Sequence, residues 1–195
     1  MIWIGLTGGI ATGKSTVSRV LIERGYAVVD ADLLAREAVQ VGSDAQLEVA
    51  RVFGPDAVLA NGELNRKKIG EIVFSDQTKL KILENIIHPK VRALALARKQ
   101  ELQDKGFKLA FYDVPLLFEK GMKDFFDRVL VVACDPKIQR ERLINRDGMT
   151  GDEADRRIAS QIPIDEKVKL ADDVILNNGT RDELVRAVDT YLSRF

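Results

Sequence analysis

The sequence predicts an α/β fold with a parallel sheet of five strands, and three observations carry this. Five short runs, residues 2–7, 26–30, 108–114, 128–133 and 173–177, are almost continuously apolar, the pattern of strands buried on both faces of a parallel sheet. Helical patterns lie between them, which implies right-handed βαβ crossovers. The first run also leads through a glycine-rich loop directly into the first helix.

The elements follow in order. Residues 14–24 place Val17, Val20 and Leu21 on one face and stop at Gly25, a helix-ending residue. After the second run, residues 31–107 are far more than one crossover helix needs, and almost all of them read as helix. Ser43 and Gln46 make a capping box, Gly54 ends that helix, and "ANGEL" is a turn. Asn65 caps "RKKIGEIVF", Ser75 caps the next helix, and Pro89 interrupts it before a further helix ending near Gly106. The excess reads as an inserted helical subdomain for a substrate. A second unusual segment runs from Pro136 to Pro163. Its first helix carries Lys137, Arg140, Arg142 and Arg146 against Glu141. Gln139, Arg142 and Arg146 recur at i, i+3 and i+7, so they line one helical face. Its second helix opens with the capping box Thr150…Glu153, and the last helix of the chain opens with Thr180…Glu183.

Composition bounds the rest. A chain of 195 residues supports one sizeable core. Apolar residues make up 46% and charged residues 31%, as in a soluble globular protein. Lys+Arg and Asp+Glu are equal at 30 each, which argues against a dedicated nucleic-acid binder. The single Cys134 excludes an internal disulfide framework and fits a reducing, cytoplasmic compartment. "MIWIGLTGG" has no basic n-region and is not expected to act as a signal peptide. No apolar run approaches the roughly 18 residues that span a membrane, so no membrane partner is expected.

The chemistry begins at Gly8-Gly9-Ile10-Ala11-Thr12-Gly13-Lys14-Ser15, which fits G-x-x-x-x-G-K-[ST]. Glycines let successive backbone N–H groups converge on phosphate oxygens, and the following helix presents its positive end to the same anion. Lys14 can reach the β/γ-phosphates, and the Ser15 hydroxyl can bind Mg²⁺. The order strand, loop, helix passes the context test for a P-loop. Asp113 follows the third apolar run, the Walker B arrangement for holding Mg²⁺ directly or through water. Leu116 lies just beyond, in the core or as a wall for an apolar substrate arm. Asp30 and Asp32 stand at the end of the second strand, and ligands in open α/β sheets bind outside such ends. One of them is expected to cap the helix starting near Leu33. The reading assigns the cap to Asp30 and the chemistry to Asp32.

A P-loop with an inserted subdomain and an Arg-bearing segment suits a kinase. No Asn-Lys-x-Asp run for guanine readout occurs. A kinase of another nucleotide or small alcohol, and a nucleotide switch without turnover, remain as alternatives at this point.

"LTGGIATGKS", "VVDADLLARE", "IIHPKVR", "DVPLLFEKG" and "ADDVILNNGTRDEL", in this order and spacing, resemble the dephospho-CoA kinase family from Ile4 to about Leu192. The resemblance implies a P-loop kinase core with a five-stranded parallel sheet (1–41, 107–136 and 164–195), a helical CoA-binding insertion (42–106) and a helical lid (137–163). It implies transfer of phosphate from ATP, with Mg²⁺, to the ribose 3′-hydroxyl of dephospho-CoA, the last step of coenzyme A synthesis. It sets no oligomeric state. By position, Asp32 matches the family's proposed general base. Ala11 through Thr16 match the ATP phosphate loop, which with Gly8, Gly9, Ile10, Thr12, Gly13, Lys14 and Ser15 makes the expected nucleotide-binding set. Asn177, Asn178 and Gly179 match the loop near adenine, and Arg142 and Arg146 match lid arginines that join Lys14 and Asp32 in catalysis. Thr7, Asp32, Arg66, His88 and Leu116 form the expected acceptor set, His88 through a His-Pro element. His88 could equally be structural, and Arg66, Lys67 and Lys68 could be solvated. Ala11 replaces a small residue that is often Gly in the family, which the loop tolerates if its φ there is negative.

Overall fold

The computed structural model describes residues 1–195. Five strands, β1 (Ile2–Gly8), β2 (Ala27–Asp30), β3 (Leu109–Asp113), β4 (Arg128–Ala133) and β5 (Asp173–Leu176), form one sheet in the order β2-β3-β1-β4-β5. β1 runs parallel to β3 and β4, and β4 runs parallel to β5. The helices are α1 (Lys14–Glu23), α2 (Ala31–Ala38), α3 (Asp44–Phe53), α4 (Arg66–Ser75), α5 (Gln77–Asp104), α6 (Pro136–Asp147), α7 (Gly151–Ala159), α8 (Ile164–Leu170) and α9 (Arg181–Leu192). The five apolar runs are therefore the five strands.

The chain packs as two compact units, Met1–Val29 with Leu102–Phe195, and Asp30–Glu101. In the first, alternate residues of the central strands face one core. Ile4 and Leu6, Phe111, Leu130 and Val132 meet Val17, Val20 and Leu21 of α1 and Leu184, Val188 and Tyr191 of α9. The opposite side of the sheet carries aromatics, with Trp3 stacked on Tyr112 at 5.6 Å between centroids. β1 is the strand at which the connections change direction, because β3 lies on one side and β4 on the other. The end of β1 is thus the crevice that such sheets use for ligands.

The second unit has its own small core of Val39, Ala45, Val49, Ala57, Leu64, Ile69 and Ile86. Here three local expectations need correction. Asp76, not Ser75, caps α5: its carboxylate accepts from the N–H groups of Thr78 and Lys79 at 2.9 and 3.1 Å. The Ser75 hydroxyl is already spent on the Glu71 and Ile72 carbonyls within α4. Pro89 does not interrupt α5, which runs unbroken for 28 residues. Proline removes one helical bond, and the carbonyl it leaves, that of Asn85, belongs to an exposed residue that water can serve. The Ser43…Gln46 box is half formed. Ser43 accepts from the Gln46 N–H, but the buried Gln46 side chain accepts from Gly42 and donates to the Gly62 carbonyl. The boxes at Thr150…Glu153 and Thr180…Glu183 are complete.

At the start of β5, Asp173 is buried and takes hydrogen bonds from Arg128 on β4 (2.8 Å) and Arg194 past α9 (2.7 Å). Burial pulls its carboxyl upward, but the two guanidinium groups outweigh this and hold it below the usual Asp value. A depressed folded pKa contributes stability that is present above the unfolded value and lost as the pH falls through the folded one. Asp173→Asn should therefore cost on the order of 2–3 kcal/mol at neutral pH, reduced by the partial exposure of both arginines. Urea unfolding at pH 7 and at pH 3 checks this: the gap between wild type and variant should narrow below about pH 4.

Candidate functional site

β1 ends at Gly8 and the loop turns into α1 at Gly13, the N-cap residue, in the left-handed region at φ 99°. A Cβ at Gly13 would also overlap the Nδ2 of Asn177, so only glycine fits there. Ala11 is the other left-handed position, at φ 59°, and the one non-glycine residue in the chain with positive φ. The expectation of a negative φ at Ala11 is therefore wrong. Left-handed backbone costs a residue with a Cβ roughly 1–2 kcal/mol. Alternating left-handed positions are what turn successive N–H groups into one concave anion cradle, so the strain is built into the loop's shape.

The loop is held by side chains from distant elements. Thr12 is fully buried and its hydroxyl donates to the Gly9 carbonyl at 2.9 Å. Asn177, just past β5, donates through Nδ2 to the Thr12 carbonyl at 2.8 Å. Gln139 on α6 donates to the Ile10 carbonyl at 2.8 Å, and Gln161 accepts from the Ile10 N–H at 2.9 Å. Lys167 on α8 is fully buried, lies 3.2 Å from the Gly8 carbonyl, and pairs with Glu119 at 2.7 Å.

Lys14 and Ser15 open α1, with Ser15 exposed and Thr16 half-buried. Lys14 pairs with Asp113, whose second oxygen accepts from the Ser18 hydroxyl. The β1–β3 register sets this contact, because Leu6 stands opposite Asp113. Thr7 is fully buried and its hydroxyl donates to the Pro115 carbonyl, while Leu116 in the same turn is exposed. On α6, Arg142 lies 3.5 Å from both Asn177 Oδ1 and the Gly179 carbonyl, and its Nη1 is buried without a partner. Asn178 accepts from the Asp135 N–H that begins α6. Burial pushes the neighbouring Cys134 thiol up, against the pull of Arg142. Arg146, further along α6, is exposed and pairs with Asp147. Arg140 turns away from both and ties α6 to α7 through Asp155.

The first unit thus brings together Thr7, residues 8–16, Asp113, Leu116, Arg142, Asn177, Asn178 and Gly179. Asp32, Arg66 and His88 belong to the second unit, and all three are exposed. Within it, Asp30 caps α2 by accepting from the N–H groups of Asp32 and Leu33, which leaves the Asp32 carboxylate uncommitted. Arg66 opens α4 after the Asn65 cap, and His88 lies mid-way along α5.

Sequence reasoning gave no role to Gln161, Lys167 or Glu119, and used Gln139 only to set a helical register. Lys167 did carry a signal. It falls three residues after Ile164 on the buried stripe of α8, a position where solvated lysine does not belong.

A strained phosphate loop at the end of the central strand, with a lysine, a buried aspartate beside it and an arginine-bearing helix joined to it through Gln139, defines a P-loop kinase. The chain belongs to the dephospho-CoA kinase family, whose model matches residues 2–183. It is 48% identical to the dephospho-CoA kinase of Geobacillus kaustophilus over 192 residues, 98% of this chain and 96% of that one. It is 50% identical to that of Bdellovibrio bacteriovorus, with 98% and 95% covered. The solved structure of dephospho-CoA kinase from Campylobacter jejuni superposes with a TM-score of 0.79 at 31% identity, covering 98% of this chain and 96% of that one.

The Ala11 strain makes a prediction. Ala11→Gly should raise stability by about 0.5–1 kcal/mol, the relief of left-handed strain less the extra freedom glycine gives the unfolded chain. In calorimetry this appears as a Tm higher by roughly 1–4 °C. A lower Tm would show that the loop carries no strain at this position.

Proposed function

We propose that this chain transfers the γ-phosphoryl group of ATP to the ribose 3′-hydroxyl of dephospho-CoA, giving coenzyme A and ADP, the last step of CoA biosynthesis. The observation that carries the reading is the preformed P-loop of residues 8–15 in a chain nearly half identical, over its whole length, to dephospho-CoA kinases. The free, buried Cys134 suits a reducing cytoplasm.

Phosphoryl transfer needs positioning and charge stabilisation more than covalent help from the protein. The loop N–H groups of residues 9–16 and the start of α1 hold the ATP phosphates, and Lys14 neutralises charge on them. Asn177, Asn178 and Gly179 border the nucleoside. Arg142, already against Asn177 and Gly179, serves that end, while the exposed Arg146 serves the transferring phosphate. The helical insertion, residues 42–106, supplies the acceptor site, with Arg66 for acceptor phosphates and His88 on the same insertion. Leu116 borders the acceptor's apolar arm. Thr7 acts indirectly, by holding Pro115. Asp32 takes the proton of the 3′-hydroxyl as its oxygen attacks phosphorus and the bond to the β–γ bridging oxygen of the ADP leaving group breaks.

The donor set fits Mg²⁺, which takes one or two protein oxygens and leaves the remaining positions to phosphates and water. Ser15 has an exposed hydroxyl at the start of α1 and Asp113 a carboxylate beside Lys14. When bound, the ion neutralises phosphate charge.

ADP release with and without dephospho-CoA tests the reading. Turnover should require this acceptor; slow acceptor-independent hydrolysis would indicate a switch, and idleness a kinase for another alcohol. Lys14→Ala should abolish turnover in a folded protein. Asp32→Asn should lower kcat by about 10²-fold, the lower half of general-base effects, because the transition state is loose. Asp30→Asn should cost little, since asparagine caps a helix nearly as well. Loss of kcat in Asp30→Asn with Asp32→Asn spared would reverse the two assignments.

A further inference from the structure

Ile10 is gripped from both sides of its own backbone. Its carbonyl accepts from Gln139 and its N–H donates to Gln161, at 2.8 and 2.9 Å. The two glutamines come from opposite ends of the segment 137–163: Gln139 from the second turn of α6, and Gln161 from the residues between α7 and α8. Gln139 is buried, and a Cβ added at Gly9 would come within 2.7 Å of its Nε2. The contact is close-packed rather than a surface accident.

A peptide unit is planar, with its C=O and the next N–H pointing in opposite directions. Drawing the Ile10 carbonyl toward Gln139 therefore turns the Ala11 N–H the other way. Asn177 does the same at the Thr12 carbonyl for the Gly13 N–H. These are the two left-handed residues, Ala11 at φ 59° and Gly13 at φ 99°. Strained backbone persists only where its surroundings over-determine it. At Gly13 the missing Cβ removes the strain. At Ala11 the strain is real: Gln139 fixes the peptide that precedes it, and Gln161 fixes the peptide before that, so the two hold Ile10 on both sides.

We propose that Gln139 and Gln161 are positioning residues, a two-armed clamp on Ile10 that keeps the phosphate loop in its anion-binding shape and anchors both ends of the lid segment to that loop. The proposal rests on the reading of residues 8–16 as the ATP phosphate site. Their roles are chemically distinct: Gln139 is needed as a donor and Gln161 as an acceptor.

The test uses ATP binding by calorimetry, KM for each substrate, amide hydrogen exchange of residues 8–13, and Tm. Gln139→Leu and Gln161→Leu should each speed exchange of the loop and raise the Kd and KM for ATP by roughly tenfold, the loss of one buried hydrogen bond. KM for dephospho-CoA should stay unchanged. Gln161→Glu keeps an acceptor oxygen and should keep the Ile10 amide protected, whereas Gln161→Asn is too short and should not. Should a leucine variant fail to fold, the Glu and Asn pair at 161 still decides the matter. A lower Tm with loop exchange and ATP affinity unchanged would reduce both glutamines to packing and overturn the proposal. Equal exposure of Ile10 in Gln161→Glu and Gln161→Asn would overturn it as well. ATP binding and exchange are read without the acceptor. A wrong acceptor would therefore leave these results standing, and a failed clamp would leave the turnover assay standing.

Discussion

A loop can aim its N–H groups at an anion only if its carbonyls are satisfied on the other side. That constraint organises the first unit. The Gly8, Ile10 and Thr12 carbonyls, every second residue, are met by Lys167, Gln139 and Asn177 from α8, α6 and the end of β5. These elements are far from the loop in sequence, and the sheet is what brings them to it. β4 lies beside β1 and β5 beside β4, so the segments leaving those two strands emerge next to the loop leaving β1. Strand order is thus the reason that three remote side chains can reach alternate carbonyls of one short loop.

Lys167 shows how much such a support demands. A fully buried ammonium carries a desolvation cost of several kcal/mol unless it is paired and hydrogen-bonded. Glu119 supplies the pair, and the Gly8 carbonyl lies within reach of the same Nζ. The Glu119 oxygen that meets Lys167 also accepts from the Ile162 N–H at 3.0 Å. The turn after β3, the start of α8 and the end of β1 are therefore fixed to one another through two side chains. An apolar pair could fill the same volume, but it could not satisfy a carbonyl and an N–H at once.

Much of this was legible in the sequence, for identifiable reasons. Strands buried on both faces write continuous apolar runs, and a P-loop writes fixed glycines, so 2–7 followed by 8–15 reads directly. Capping boxes at Thr150 and Thr180 are local and held. The Asp30 cap was legible because capping is a local geometric task. The errors lie where local rules compete. Ser75 and Asp76 are both good caps, and the serine was taken up by its own helix. Pro89 costs α5 one hydrogen bond, and Asn85, the residue whose carbonyl it frees, is exposed. Gln161 was not legible because a polar residue in a loop is ordinarily solvated, and the place of Lys167 on the buried side of α8 signals burial without naming its partners. Only tertiary structure shows that their partners, Ile10 and Gly8, lie more than half the chain away.

The same economy of charge governs Lys14. In this structure its ammonium sits on Asp113, which is buried and whose other oxygen accepts from Ser18. Without Lys14 that carboxylate would be a buried charge supported by a hydroxyl alone, so the pair stabilises the loop. The register that places Leu6 opposite Asp113 therefore does more than align two strands. It sets the cation that opens α1 and the buried anion that ends β3 within reach of each other, so that one ion pair ties the loop to the neighbouring strand.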